Sequence, residues 1–179
     1  MKKALKFSLL LSVLLTTTAC GSLQDVNHKW FPPETIVEPA PKLAVAQPTT
    51  ERIDLAADVL FEFNKATAHD LLPAGKDTLD KLIKSVATGY SSVDKINVVG
   101  YTDRLGSESY NHKLGLERAK AVQEYLRAGG VTSEITVSSR GGQEPVTTDC
   151  IGNKATPSLK ACLQPDRRVT LDITGLKKR

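Results

Sequence analysis

The last strand-like segment constrains the fold of this chain more than any other feature. Val169, Leu171 and Ile173 alternate there with charged and hydroxyl side chains. This period of two residues predicts a β-strand that buries one face and exposes the other to water. The sheet that contains the strand therefore needs cover on one side only. The same parity directs Arg167 towards the buried face.

Two helical patterns and three strand-like runs precede that segment. Apolar residues recur at spacings of three and four over residues 79–86, after Pro73, which the first turn of a helix tolerates. Ser107 is a suitable N-cap for a second helix, and the glycines at 129–130 are suitable to end it. The strand-like runs occupy residues 59–63, 96–101 and 135–138.

This order of elements predicts the α+β class. We expect a βαβαββ-type sandwich, in which two main helices cover one face of a four-stranded mixed sheet. An insert between Cys150 and Cys162 separates the third strand from the last and has no strong period.

The second helix carries two polar residues inside its apolar stripe. At about 100° per residue, Arg118 lies at about 80° and Asn111 at about 100° from Tyr110, between apolar neighbours on both sides. A buried charge requires a partner. Arg118 therefore either pairs with Asp103 or Asp166 as a structural brace, or is directed at a ligand.

The first 19 residues predict an export signal. A basic start is followed by the short apolar run 7–15, which cannot span a bilayer core that needs about 20 helical residues. Small residues then lead to Cys20. We expect cleavage before this cysteine.

The three cysteines support export. In an oxidising compartment Cys150 and Cys162 can bridge, which leaves Cys20 over. The preceding residues resemble a bacterial lipobox, with Thr17 in place of the usual aliphatic residue, and predict that Cys20 is lipidated. Ordinary cleavage after Ala19 is the alternative, and it would leave a free thiol in the periplasm.

A linker and one domain follow the signal. Five prolines and the lack of any helical or strand period mark residues 20–50 as the lipidated cysteine and a Pro-rich linker, which reaches at most about 90 Å. Residues 51–176 suffice for one domain. Residues 177–179 form a basic tail.

The charge and the histidines exclude two kinds of site. Residues 51–176 contain 16 basic and 17 acidic side chains, a net charge of −1, with no basic run that includes aromatic residues. The sequence therefore predicts no nucleic-acid partner. Zinc is disfavoured because His28, His69 and His112 are scattered without metal-ligand spacing.

Five motifs together resemble the OmpA-like C-terminal domain family, the cell-wall-binding module of Gram-negative envelopes. They are Phe-Glu-Phe-Asn-Lys-Ala at 61–66, Gly-Tyr-Thr-Asp-Arg-Leu-Gly at 100–106, the stretches 140–146 and 165–169, and the family pattern N-x-x-L-S-x-x-R-A-x-x-V. The last is matched by Asn111, Leu114, Arg118, Ala119 and Val122, with Gly115 in place of the serine. The resemblance covers the whole domain.

The resemblance implies peptidoglycan binding through the diaminopimelate of the stem peptide, with no cofactor. Carried over by motif, Asp103 binds the ligand's ammonium and Arg118 its carboxylate. Asn111 holds loop backbone or contacts the ligand's peptide, and Arg167 adds positive potential or acts as a brace. Thr102, Leu105 and Leu114 are expected to form pocket walls. Some family members have a bridged insert at the position of residues 150–162, which lies outside the motifs and is expected to lie outside the site.

The family resemblance and the export signal together predict an outer-membrane lipoprotein whose domain lies in the periplasm and binds the cell wall non-covalently. Gly21 and Ser22 after the lipidated cysteine lack the aspartate that often retains lipoproteins at the inner membrane. One alternative is a lipoprotein whose main partner is another envelope protein. A wall hydrolase is disfavoured, because no Ser or Cys lies in an activating motif and His112 is on the solvated arc of its helix.

Overall fold

Four strands form one mixed sheet. In the computed structural model, which describes residues 46–178, the spatial order is β1-β4-β2-β3. The central strand β4 pairs antiparallel with both β1 and β2, whereas β2 and β3 are parallel. The strands are β1 (Thr49–Ala56), β2 (Tyr90–Tyr101), β3 (Glu134–Gly141) and β4 (Arg168–Lys177).

The two main helices begin and end where local chemistry predicts. Pro73 occupies the first turn of one helix, and the Ser107 hydroxyl accepts a hydrogen bond from the Tyr110 amide at 3.3 Å to cap the other. The helices are α1 (Ala57–Leu60), α2 (Pro73–Gly89), α3 (Glu108–Ala128) and α4 (Pro157–Cys162). Within residues 46–178, no helix combines the length and apolar composition needed to cross a membrane.

The hydrophobic core lies between the sheet and helices α2 and α3. Ile96 and Leu171 from the sheet are buried against Leu79 of α2 and Leu126 of α3. Each such side chain stabilises the fold by about 1.5–3 kcal/mol relative to exposure. The α+β class, the four-stranded mixed sheet and the alternation in β4 are therefore confirmed.

The predicted strand over residues 59–63 is wrong. Residues Ala57–Leu60 form one helical turn, and Phe61 makes only an isolated bridge to Leu71. The run is apolar enough to resemble a strand, but only its middle residues, Leu60 and Phe61, are buried. Phe63 at its end is 66% exposed. The run therefore crosses the core at one point instead of lying along a sheet.

The first strand is β1, which the sequence prediction missed. Its inward residues, Ile53 and Leu55, are its only large apolar side chains, and they alternate with Arg52 and Asp54. The expected boundary between linker and domain at residue 51 falls inside this strand, which begins at Thr49.

Two glycines allow α3 to lie close against β2. A Cβ on Gly100 would come within 1.9 Å of the Gly115 carbonyl oxygen. A Cβ on Gly115 would lie 2.4 Å from the hydroxyl of Ser139, which donates a hydrogen bond to the Gly100 carbonyl. Since the Ser139 hydroxyl fills this space, glycine replaces the family serine here without leaving a void.

Candidate ligand-binding cleft

A cleft of about 220 Å³ lies beyond the C-terminal end of β2. The loop after β2, the N-terminal half of α3 and the segment before β4 bring together all seven residues that the sequence predicts for the site. These are Thr102, Asp103, Leu105, Asn111, Leu114, Arg118 and Arg167.

Arg118 is buried in the cleft wall with part of its hydrogen-bonding capacity unused. The residue is 2% exposed, and its Nε donates to the Lys65 carbonyl at 3.0 Å. Its Nη1 has no hydrogen-bond partner among residues 46–178, and no carboxylate of these residues forms an ion pair with it. Burial lowers the pKa of this guanidinium below its ordinary value. A buried donor that lacks a partner is costly, which makes this nitrogen a candidate contact for an anion.

Asp103 is fixed by a different arginine. Its carboxylate accepts hydrogen bonds from the Leu105 amide and from Arg167 Nη1, both at 2.9 Å. Arg167 also binds Asp58 through two nitrogens, at 2.7 and 3.1 Å, and this hydrogen bonding raises the pKa of Arg167. The brace in this structure therefore consists of Arg167 between two carboxylates.

Arg118 does not pair with either acid that the sequence offered as a partner. Asp103 binds Arg167, and Asp166 accepts hydrogen bonds from the amides of Val146 and Thr147 at 2.7 and 2.9 Å. Both of the acids considered as brace partners thus have other contacts.

Asn111 holds the loop that carries Asp103. It is 5% exposed, and its amide nitrogen donates to the carbonyls of Asp103 and Leu105 at 3.2 and 3.0 Å. Thr102 adds a hydrogen bond from its hydroxyl to the Asp103 carbonyl at 2.9 Å. The structure thus contains the loop contact considered for Asn111, and its contact with the peptide of a ligand stays a prediction.

The disulfide-bridged insert also reaches the cleft. Cys150 and Cys162 are bonded, with their Cα atoms 5.7 Å apart, so the bridge that the sequence allowed is confirmed. Ala155 and Lys160 from within the loop line the cleft. The expectation that the insert lies outside this region is therefore wrong.

The sequence reasoning missed several residues in and around the cleft. Asp58, which binds Arg167 without lining the cleft, is 109 residues away from it in the chain, and Lys160 lies in an insert without periodicity. Tyr110 and Phe63 line the cleft and are 44% and 66% exposed. Phe63 belongs to the motif at 61–66 and Tyr110 directly precedes the motif that begins at Asn111, so their places in the sequence were the available signal. No group of three or more potential metal-ligating side chains occurs in the described part of the chain.

The sheet order, the two packed helices and the charged cleft define an α+β sandwich domain with its candidate site beyond the end of a parallel strand pair. The chain belongs to the OmpA family, which it matches over residues 60–156.

Outer membrane protein A from two organisms illustrates the relationship. The protein of Klebsiella aerogenes is 43% identical over 131 residues, which cover 72% of this chain and 37% of the relative. That of Shimwellia blattae is 39% identical over 146 residues, 78% of this chain and 59% of the relative. The chain therefore spans between about two fifths and three fifths of the length of these relatives.

Solved structures share the fold at low sequence identity. The periplasmic domain of Helicobacter pylori MotB has a TM-score of 0.53 at 20% identity and covers 73% of this chain and 78% of that one. The cell wall anchor of the T6SS from Pseudomonas aeruginosa has a TM-score of 0.52 at 20% identity, covering 74% and 89%. At this level of identity, the likeness concerns the fold alone.

Proposed function

We propose that the domain binds peptidoglycan non-covalently, through the diaminopimelate of the stem peptide. The observation that carries the proposal is the buried Arg118 Nη1, which has no hydrogen-bond partner in residues 46–178 and lines the same cleft as the braced carboxylate of Asp103. Membership of the OmpA family supports the same ligand, because family members bind the cell wall.

The two charged groups suit the free end of diaminopimelate, which carries an ammonium and a carboxylate on one carbon. A carboxylate offers about four lone-pair sites, so Asp103 retains acceptor capacity for an ammonium after its bonds to Leu105 and Arg167. The planar guanidinium of Arg118 suits a carboxylate. The ligand would thus bring the anion that Arg118 lacks.

The cleft is built for binding charge. Arg167, Asn111 and Thr102 hold the loop that carries Asp103, so the carboxylate is oriented before a ligand arrives. Such preorganisation increases affinity, because the loop and its side chains lose little conformational entropy when the ligand binds. We therefore assign the domain a role in ligand recognition.

The same proposal includes a membrane tether. Cys20 would carry the lipid, and residues 21–50 would link it to the domain, which places the domain in the periplasm below the outer membrane. These residues lie outside the described part of the chain, except for the last few. The names of the relatives support an envelope location: outer membrane protein A, and a cell wall anchor among the proteins of like fold.

Co-sedimentation of the full chain with isolated sacculi tests the proposal. Arg118→Met replaces the buried cation with an unbranched apolar side chain that reaches as far as the arginine Nε, so the fold should lose no more than about 1 kcal/mol of stability or gain some. Sacculus binding should nevertheless weaken about 30-fold or more, because one partner of a desolvated charge pair is lost.

Two controls sharpen the result. Lys113→Ala, on the exposed face of the same helix, should bind as wild type does. Amidation of the diaminopimelate carboxylate should weaken wild type but change Arg118→Met little, because that contact is already absent. A stable Arg118→Met chain that holds sacculi as tightly as wild type would refute the site assignment.

A further inference from the structure

The disulfide-bridged insert forms one wall of the cleft through helix α4. Thr156 caps this helix by accepting a hydrogen bond from the Leu159 amide at 3.2 Å, and Leu159 is buried. Arg104, next to the braced aspartate, donates to the carbonyls of Cys150 and Gly152 at 2.6 and 2.7 Å. The insert is therefore attached to the loop that carries Asp103.

The same arginine that braces the aspartate also positions Lys160. Arg167 Nη1 donates to Asp103 at 2.9 Å and to the Lys160 carbonyl at 3.0 Å. Because this contact uses the backbone of Lys160, it fixes where the lysine side chain starts and leaves its ammonium free for another role. A substitution of the side chain should leave the backbone contact intact.

The ammonium of Lys160 lies at the cleft without a carboxylate partner in the described residues. It is 5.0 Å from the centroid of the Phe63 ring, which also lines the cleft, and no ion pair includes it. An aromatic face attracts a cation but does not neutralise its charge. Lys160 is thus held in place and remains available to an anion.

The balance of charges in the cleft indicates what that anion is. The cleft is lined by one carboxylate, Asp103, and by three cations, Arg118, Arg167 and Lys160. Asp58 does not line the cleft, but its carboxylate is ion-paired with Arg167. When Asp58 is included, the two carboxylates and three cations leave a net charge of +1. A zwitterionic end group on Asp103 and Arg118 adds no net charge. A ligand with one further carboxylate would neutralise the cleft.

The geometry points to Lys160 as the contact for a second carboxylate of the bound stem peptide, an inference that rests on the proposed function. Two carboxylates meet this description. One is the free carboxylate of the glutamate that precedes diaminopimelate, and the other is the carboxylate at the second centre of diaminopimelate, which is free only in stems that end there. The insert then acts as a specificity element that reads the state of the stem peptide.

The test compares soluble muropeptides by calorimetric titration of the full chain. Lys160→Gln removes the charge and keeps a polar side chain that is one atom shorter. Lys154→Gln is the matched control, because Lys154 lies in the same insert, is exposed and does not line the cleft. We expect Lys160→Gln to weaken binding of an acidic tripeptide stem about fivefold, as for an ion pair that is partly open to water, and Lys154→Gln to have no effect.

Peptides that lack one or the other carboxylate identify which of the two Lys160 binds. If the glutamate carboxylate is the contact, its amidation weakens wild type about fivefold and leaves Lys160→Gln unchanged. If the carboxylate at the second centre of diaminopimelate is the contact, extending the stem by one alanine converts that carboxylate to an amide. The extension then weakens wild type about fivefold and leaves Lys160→Gln unchanged. If Lys160→Gln binds every peptide as wild type does, the inference is overturned.

The outcome also separates this inference from the proposed function. If amidation of the carboxylate beside the diaminopimelate ammonium weakens wild type while Lys160→Gln has no effect, the proposed function stands and only the role of Lys160 fails. If wild type binds none of the peptides, both fail.

Discussion

Removal of the Cys150–Cys162 disulfide should destabilise the domain measurably. The bridge joins residues 12 apart in the chain. In the chain-entropy model, a closed loop of about 13 residues stabilises by about 3 kcal/mol, since it restricts the unfolded chain. For a domain of this size, that loss corresponds to a decrease in Tm of about 10 °C.

The structure adds a consequence for binding. In Cys150→Ser with Cys162→Ser, the insert would be held by Arg104 and by the Arg167 contact to the Lys160 carbonyl. The buried Leu159, and Leu163 directly after the second cysteine, would also hold it. These contacts should keep α4 folded at 25 °C, but the cleft wall would be held less tightly. We therefore expect muropeptide affinity to fall a few-fold, a smaller loss than that caused by Arg118→Met.

Urea unfolding gives the free energy, and titration at a temperature where the variant is fully folded gives the affinity. Wild type treated with a reductant is the control, since it lacks the bond but keeps both side chains. A stability loss below about 1 kcal/mol would refute the loop-entropy reasoning. Unchanged affinity in a destabilised variant would show that the wall does not need its covalent closure.

Two further predictions concern α3 and the membrane. Gly115→Ala should destabilise the domain by about 1–3 kcal/mol, because the new methyl group meets the Ser139 hydroxyl and the Gly100 carbonyl oxygen. The same substitution made in a Ser139→Gly chain should cost less free energy of unfolding in urea than it costs in wild type, and an equal cost in both chains would contradict the clash with Ser139. Cys20→Ser should leave the domain folded but release it from membranes in fractionation after the wall has been digested, and a variant that remains with the membranes would end the lipid-anchor proposal.

The sequence predicted the elements that depend on local chemistry. Helix α3 begins after Ser107 and ends before Gly129, because caps and stop signals act within a few residues. Strand β4 was predicted because its alternation is regular. Strand β1 was missed because it has only two large inward apolar residues. The more apolar run at 59–63, which follows it, was assigned as the first strand instead.

The cleft was predicted only as far as the motifs extend. Helical periodicity directs Arg118 and Asn111 inward, and both are buried. The partners could not be predicted, because they join distant parts of the chain: Arg118 donates to a carbonyl 53 residues away, and Arg167 reaches Asp58 across 109. Lys160 depends in addition on how the bridged loop folds back.

The position of β1 at the edge of the sheet determines how the domain would respond to mechanical force. Its pairing with β4 runs from Thr49 opposite Gly175 to Ala56 opposite Arg168, and the cleft residue Arg167 precedes that last pair. A pull transmitted from the N-terminal side enters at Thr49, whereas a ligand in the cleft would resist at the opposite end of the strand. The load would then run along β1 and shear its hydrogen bonds to β4 together, so that the domain would resist extension instead of unzipping bond by bond.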